Sequence, residues 1–482
     1  MITLLILLLP LVAGILIYLG KKENAYKLTL AFSLLELLVV AIGVYVFKTQ
    51  GESSLAINYP WIKSIGTHFN IAINGLNVLL VLLTGLLLPI IVYSTANRIT
   101  EKTNLFYALV LFMQFALQGV FMARDGFLFY IFWELALLPI WFICLLWSEE
   151  NRTKTTFKFF VYTLTGSLFM LASLIYLYVH TSNGSFAIED LYTAGKSLSV
   201  KEQRYIFWGM FIAFAIKMPV FPFHTWQPDT YTNAPTAGTM LLSGIMLKMG
   251  TYGLIVWLLP LAPAGVEKYA YLAITLSIIG IIYGSSLALV QKDFKRLIAY
   301  SSFAHVGLMS AGILTCNSMG VQGSIIQMFS HGINVVGLFL VVDIFQRNTG
   351  TRTITSLGGL RNIDGLFAFL FLVILLGSVA LPLTSGFVGE FLLLNSIYQY
   401  NSVMAVFAGL TVILGAVYML RSYQSIMLGE VRGESIKYQG MTSNEKISLI
   451  IISILIIVLG VYPNILMSLS EGAVMDLVNS VK

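Results

Sequence analysis

Apolar runs of about 20 residues follow one another along the whole chain, and most of the charge collects in the short connections between them. Each run is long enough to cross a hydrocarbon layer of about 30 Å as a helix. The pattern predicts fourteen spans, at about 2–20, 27–47, 75–95, 104–123, 126–147, 157–180, 205–221, 235–259, 270–290, 297–316, 320–346, 365–398 with an internal break, 401–421 and 446–468. An even number of spans leaves both termini on one side. The longer connections, 48–74, 181–204 and 424–445, mix Gly, Ser, Asn and charges and suit hairpins or surface helices; none reads as a separate domain. Alternation around Leu55–Ile57 and Phe69–Ile73 predicts a small outer hairpin.

Two spans are interrupted. In the stretch from Tyr205 to Tyr252, Lys217 sits deep in an apolar run and is followed at once by Met218-Pro219-Val220-Phe221-Pro222. The two prolines remove donors and clash with the preceding turn, so the helix must break there. The second interruption lies in 377–396, where Pro382 and Thr384-Ser385-Gly386 precede Glu390. Five spans separate the two breaks, and an odd offset reverses direction across the membrane. Residues 104–259 and 270–421 are therefore expected to be two inverted five-helix repeats, flanked by 1–103 and 446–482. Breaks at matching positions of two halves point to a transport site.

Composition agrees: of 482 residues, 58% are hydrophobic and only 10% charged, against about a quarter charged in soluble proteins. The fold class is an all-α polytopic membrane protein. Met1–Gly20 has no preceding positive charge and is followed by Lys21-Lys22, so it reads as a retained span and not as a cleaved leader. Of the 28 lysines and arginines, 18 fall on one set of connections and 8 on the other, Lys482 among the 8; the remaining two are Lys217 and Lys248. The bias places the first set in the cytoplasm and both termini on the outer, periplasmic side of a cell inner membrane. It also explains the net charge of +6 without nucleic acid. Cys144 and Cys316 lie far apart in apolar runs and supply neither a zinc site nor an iron–sulfur cluster by themselves.

Ionisable residues inside spans are costly and mark ion or proton pathways. Glu134 lies mid-span in FYIFWELALLPIWF, five residues before Pro139. Lys248 has thirteen spanning residues before it and about eleven after, too deep to reach an interface by snorkelling. His305 and His331 each lie inside an apolar span, with no partners at metal-ligand spacing. Imidazole exchanges protons near neutral pH, and a lysine stripped of water can do so too. Glu134, Lys217, Lys248, His305, His331 and Glu390 are too many for one binding pocket and suit a proton wire. His224, past the first break, is a candidate for proton access or gating at cytoplasmic water.

WELALLPIWF, the run FAIKMPVFPFHTWQPDTYTNAPTAGTMLLSGIMLKMGTYG, YSSFAHVG and GFVGEF resemble the antiporter-like subunits of respiratory complex I, over about residues 70–470. That resemblance implies fourteen helices with two inverted repeats. It implies that Glu134 and Lys217 form a regulatory ion pair, that Lys248 follows in the relay, and that His305 and His331 form its centre. Some branches of the family, and Mrp-type antiporters, carry lysine after GFxG; this chain carries Glu390. The long lateral helix of subunit L is not expected here. Proton pumping would be driven from elsewhere: no cofactor is expected in this chain, with FMN, iron–sulfur clusters and quinone in partner subunits. The implied partners are other membrane subunits of the complex, the L and N antiporter-like subunits as flanks, and membrane lipids. This fits the absence of a Gly-rich dinucleotide fingerprint.

The alternatives are an Mrp-type Na⁺/H⁺ antiporter subunit or the membrane subunit of a membrane-bound hydrogenase. Glu390 speaks against the first. A stand-alone secondary transporter would need a polar substrate cavity, and nothing specific marks a quinone site.

Overall fold

The structure is a computed structural model and describes residues 1–96, 98–148 and 152–481. Lys482, counted above with the outer connections, lies outside the described residues. The apolar runs fold as helices because an isolated helix satisfies its own backbone, the condition for crossing hydrocarbon.

The N-terminal block begins with α1 (Ile2–Leu19) and α2 (Lys22–Gln50). Next comes the expected hairpin, β1 (Ile57–Ile62) and β2 (Thr67–Ile71), antiparallel with Ile57 opposite Ile71. Then follow α3 (Val78–Ser94), α4 (Thr103–Met122), α5 (Gly126–Trp147), α6 (Arg152–Val179) and the short α7 (Ile188–Ser197) in the 181–204 connection. α8 (Val200–Lys217) starts on a capping box between Ser199 and Glu202 and stops at Lys217, where the prolines demand it. The chain resumes as α9 (Trp226–Asn233) and α10 (Thr236–Leu261).

The second half comprises α11 (Pro263–Val290), α12 (Phe294–Leu314), α13 (Ser318–Thr349), α14 (Gly365–Ser378), α15 (Ser385–Tyr400) and α16 (Ser402–Met427). The last two helices are α17 (Ser443–Val461) and α18 (Asn464–Val481). Here the sequence expectation needs correction. The final span was placed at 446–468, but Pro463 ends α17 at Val461 and a separate helix follows, burying Leu466, Leu469 and Ser470.

Among the described residues, eleven helices are long and apolar enough to cross a membrane by length and composition. Expected spans at α3, α8 and the broken α14–α15 pair are shorter or carry more charge. The molecule is built around α10, α12 and α13, whose most apolar stretches are wholly buried, whereas α1, α2, α16 and α17 expose most of theirs. Lys248, His305 and His331 ride on those three central helices, so they are positioned by packing on all sides.

Both breaks are paired with neighbours that take up their loose backbone groups, as buried irregular chain requires. At the first, Trp226 Nε1 donates to Ile216 O (2.9 Å) and Lys158 Nζ to Thr225 O (2.7 Å). At the second, Asn334 and Ser330 of α13 donate to Gly377 O (3.0 Å) and Ser385 O (2.9 Å). Ala380 and Leu383 there adopt left-handed backbone, at φ 56° and 75°. Such conformations cost on the order of 1–3 kcal/mol for non-glycine residues and persist where the surroundings over-determine them. Gly386 has to be glycine for the break to close: a Cβ would lie 2.2 Å from Gly377 O.

Candidate functional site

Lys248 follows a wide turn of α10. Residues Leu242–Met246 form a π-helical segment, and Leu247 N bonds Leu242 O across five residues. Such bulges free backbone acceptors and recur at functional sites. Lys248, with no exposed surface, sends Nζ back to Ser243 O at 2.6 Å and forward to His331 Nδ1 at 2.9 Å. The other ring nitrogen of His331, Nε2, meets Ser302 Oγ at 3.1 Å, and Ser302 Oγ meets Ser243 Oγ at 3.2 Å. His331 is therefore engaged at both nitrogens, so a proton taken up on one face can leave from the other.

His305 lies one helical turn beyond Ser302 on the same face of α12. Its ring centroid is 5.9 Å from that of His331. Its Nδ1 is 2.9 Å from Glu390 Oε1, close enough for an ion pair but off the line that a hydrogen bond needs. Gln327 Nε2 donates to the same carboxylate oxygen at 3.3 Å. A cavity of about 10 Å³ touches Ser301, Ser302, His305, Gln327 and His331. That is room for about one water with polar partners on several sides. Ser301 also accepts from Tyr418 Oη at 2.9 Å. The arrangement is hydrogen-bonded from Lys248 through His331 to Ser302, and continues to His305 and Glu390 by close approach, each step within proton-transfer reach or one water of it.

The structure thus brings together four of the six residues expected to form the wire: Lys248, His331, His305 and Glu390. The other two stand apart. Lys217 is 3% exposed, and its Nζ lies 5.3 Å from the ring centroid of Trp133, the residue before Glu134. Glu134 is within electrostatic range of that ammonium, yet no ion pair joins them within 4.0 Å. Glu134 Oε1 is buried without a hydrogen-bond partner. α5 is interrupted at Ala136, two residues on, in the turn that precedes Pro139. The expected pair is near but open. Between Lys217 and Lys248 the chains touch closely at Gly250, where a Cβ would lie 2.8 Å from Phe214 O and 2.7 Å from Met218 Cβ.

His224 departs from its expected setting. The ring is 5% exposed, stacked 4.5 Å from Phe303 and 5.8 Å from Phe221, with Tyr283 edge-on at 5.2 Å. Its Nδ1 has no partner. The aromatic walls cover the ring itself, although Pro222 and Thr225 on either side of it are exposed.

Several groups of the track carry no sequence mark of their own. Ser243, Ser302 and Gln327 are ordinary polar residues, and only their helical spacing from Lys248, His305 and His331 could have singled them out. Lys295 was counted among the connections, but it is 1% exposed in the first turn of α12 and donates to Ala234 O at 2.6 Å. Glu36 was overlooked altogether, although it stands in an apolar run as plainly as Glu134 does.

A family described as "NADH:quinone oxidoreductase/Mrp antiporter, TM" matches residues 123–415. The NADH-quinone oxidoreductase subunit M of Rickettsia prowazekii is 37% identical over 479 residues, covering 97% of each chain. The protein of the same name from Escherichia coli K12 is 35% identical over 426 residues, 86% of this chain and 83% of that one. Among solved structures, a chain of respiratory complex I from Thermus thermophilus superposes with a TM-score of 0.91 at 29% identity, each chain covered in full. A chain of the Mrp complex from Dietzia shares the fold at a TM-score of 0.86 and 19% identity, over 98% of this chain and 52% of that one.

Proposed function

The chain belongs to the NADH-quinone oxidoreductase subunit M family, and from that premise we propose that its buried track carries the protons that complex I pumps. It is a proton-translocating, antiporter-like membrane subunit of that oxidoreductase complex. Glu134 and Lys217 act as a gate: closing the pair holds a proton on Lys217, and opening it releases that proton toward Lys248. From Lys248 the proton passes to His331, crosses Ser302 and one water to His305, and leaves by Glu390. The observation that carries this reading is the unbroken contact series Lys248–His331–Ser302 at 2.9 and 3.1 Å, with His305–Glu390 at 2.9 Å beside it. His224 supports packing of the first break and has no place in the track.

The open Glu134–Lys217 arrangement suits a gate at rest. Fourteen spans, with inverted repeats at 104–259 and 270–421, would set the two breaks in opposite directions, one serving each half of the track. NADH oxidation and quinone reduction belong to partner subunits holding FMN and iron–sulfur clusters. The L and N subunits would lie on either side, in a cell inner membrane with both termini outside.

The test is Lys217→Ala and Glu134→Ala in the assembled complex, with proton pumping and quinone reduction measured together. Loss of pumping in assembled variants is expected; normal pumping in both overturns the gate. Copurification with flavin and iron–sulfur clusters supports the complex, whereas a [NiFe] centre would place the chain in a hydrogenase.

A further inference from the structure

Outside the track, the N-terminal helices hold a deeply buried carboxyl group. Glu36 on α2 is 1% exposed, and neither carboxyl oxygen has a hydrogen-bond partner. α2 packs on α1, α3, α4 and the turn 52–55; none of the three helices contains a charged residue, and Glu52 of the turn is paired with Arg124. A carboxylate with no counter-ion and no donor in such a place would be very costly, so the acid must hold its proton.

The same interface contains further unmatched polar groups. Gln114 and Gln118 on α4 have no exposed surface; both amide atoms of Gln114 lack partners, as does Gln118 Oε1. Gln118 Nε2 donates to Val81 O of α3 at 3.3 Å, so its side chain enters the α3–α4 interface. Glu36 precedes Val40 by one turn, and Val40 packs on Gly85 of α3. α2 and α4 start together, since Asn104 donates to Gly20 O and the rings of Tyr26 and Tyr107 lie 6.0 Å apart. At 1.5 Å per residue, Glu36 is about 15 Å along from Tyr26, while Gln114 and Gln118 are about 10 and 16 Å along from Tyr107. Counted from that aromatic pair, the carboxyl stands within about a turn of both amides in depth. Thr29 and Ser33, both buried on α2, continue the polar stripe toward Tyr26, which accepts from Asn444 at 3.2 Å.

We propose that Glu36, Gln114 and Gln118 form a second proton-binding site, holding the neutral acid and ordered water in the N-terminal helices, apart from the Lys248–Glu390 track. The unmatched donors and acceptors supply the two to four polar contacts that a buried water needs. The stripe through Ser33 and Thr29 lets the carboxyl proton exchange with water at the Tyr26 end.

Infrared difference spectra of the reconstituted complex test this directly. In the wild type a protonated-carboxyl C=O band is expected that moves to lower frequency in D₂O and is missing in Glu36→Gln, with NADH oxidation showing that the variant assembles. Gln114→Leu is expected to slow the D₂O shift. No band difference between wild type and Glu36→Gln would overturn the proposal, because the group would then be ionised. A band that never shifts in D₂O would overturn it too, since the acid would be sealed from water. If Glu36→Gln fails to assemble, dicyclohexylcarbodiimide applied to the wild type decides. The acid adds its O–H across one C=N bond, and the adduct rearranges to a stable N-acylurea. Modification of the Glu36 peptide by mass spectrometry supports the site, and its absence overturns it.

Discussion

Replacing Ser302 with alanine interrupts the track at the hydroxyl that joins its two histidine-bearing helices. Ser302 is 2% exposed, and its Oγ is 3.1 Å from His331 Nε2 and 3.2 Å from Ser243 Oγ. Alanine removes both contacts and leaves a buried imidazole nitrogen without its hydroxyl partner, at a cost of about 1–3 kcal/mol. If the proton crosses this hydroxyl, the same energy is added to the barrier for its transfer. One factor of ten per 1.36 kcal/mol then makes the crossing about 5- to 150-fold slower. The assay is the ratio of protons moved to NADH oxidised by the complex in sealed proteoliposomes. A reduced ratio with assembly and quinone reduction retained is expected, and Ser302→Thr, which keeps the hydroxyl, should restore it. A full ratio at the normal rate in Ser302→Ala would refute the reasoning, because His331 would then pass its proton by another path.

Other perturbations follow from the same contacts. Gly250→Ala pushes a Cβ against the backbone of Phe214 and Met218, which must shift apart; a loss of about 1–3 kcal/mol is expected from overpacking, read as lower thermal stability with weakened pumping. His224→Phe should assemble and pump normally, since the ring serves as one more aromatic between Phe221 and Phe303; loss of pumping would return His224 to the proton path. Glu445, whose side chain is 1% exposed, binds Arg98 and, at 2.9 Å, Arg347. Glu445→Ala should destabilise the subunit by about 1–3 kcal/mol, the range for losing hydrogen bonds to charged groups, because Arg98 keeps Asp343 and both arginines reach the surface, seen as reduced recovery of intact complex.

Much of this protein was legible before any coordinates. Length and polarity fix where helices form, because hydrocarbon leaves the backbone no other partners than its own. Pro219 and Pro222 fix the first break for the same local reason, and Lys217, Lys248 and Glu390 stand out because charge is so rare in the runs around them. The prediction failed where the outcome depended on neighbours distant in sequence. Pro463 could end a helix or kink it, and the packing of α18 decided that it ends. His224 looked water-facing because the chain breaks beside it, but Phe303, 79 residues on, covers it.

Whether six ionisable groups form one line could not be read from one dimension. Packing of α10, α12, α13 and α15 joins Lys248, His331, His305 and Glu390, and it recruits Ser243, Ser302 and Gln327, whose chemistry is unremarkable until a histidine or carboxylate lies beside them. The same packing leaves Glu134 and Lys217 near one another without contact. The sequence by itself determined the elements and the cost of each buried charge, since both depend only on the local chain and the surrounding hydrocarbon. Only the tertiary structure decided which charges share a hydrogen bond, since that depends on distances of about 3 Å between helices far apart in the chain.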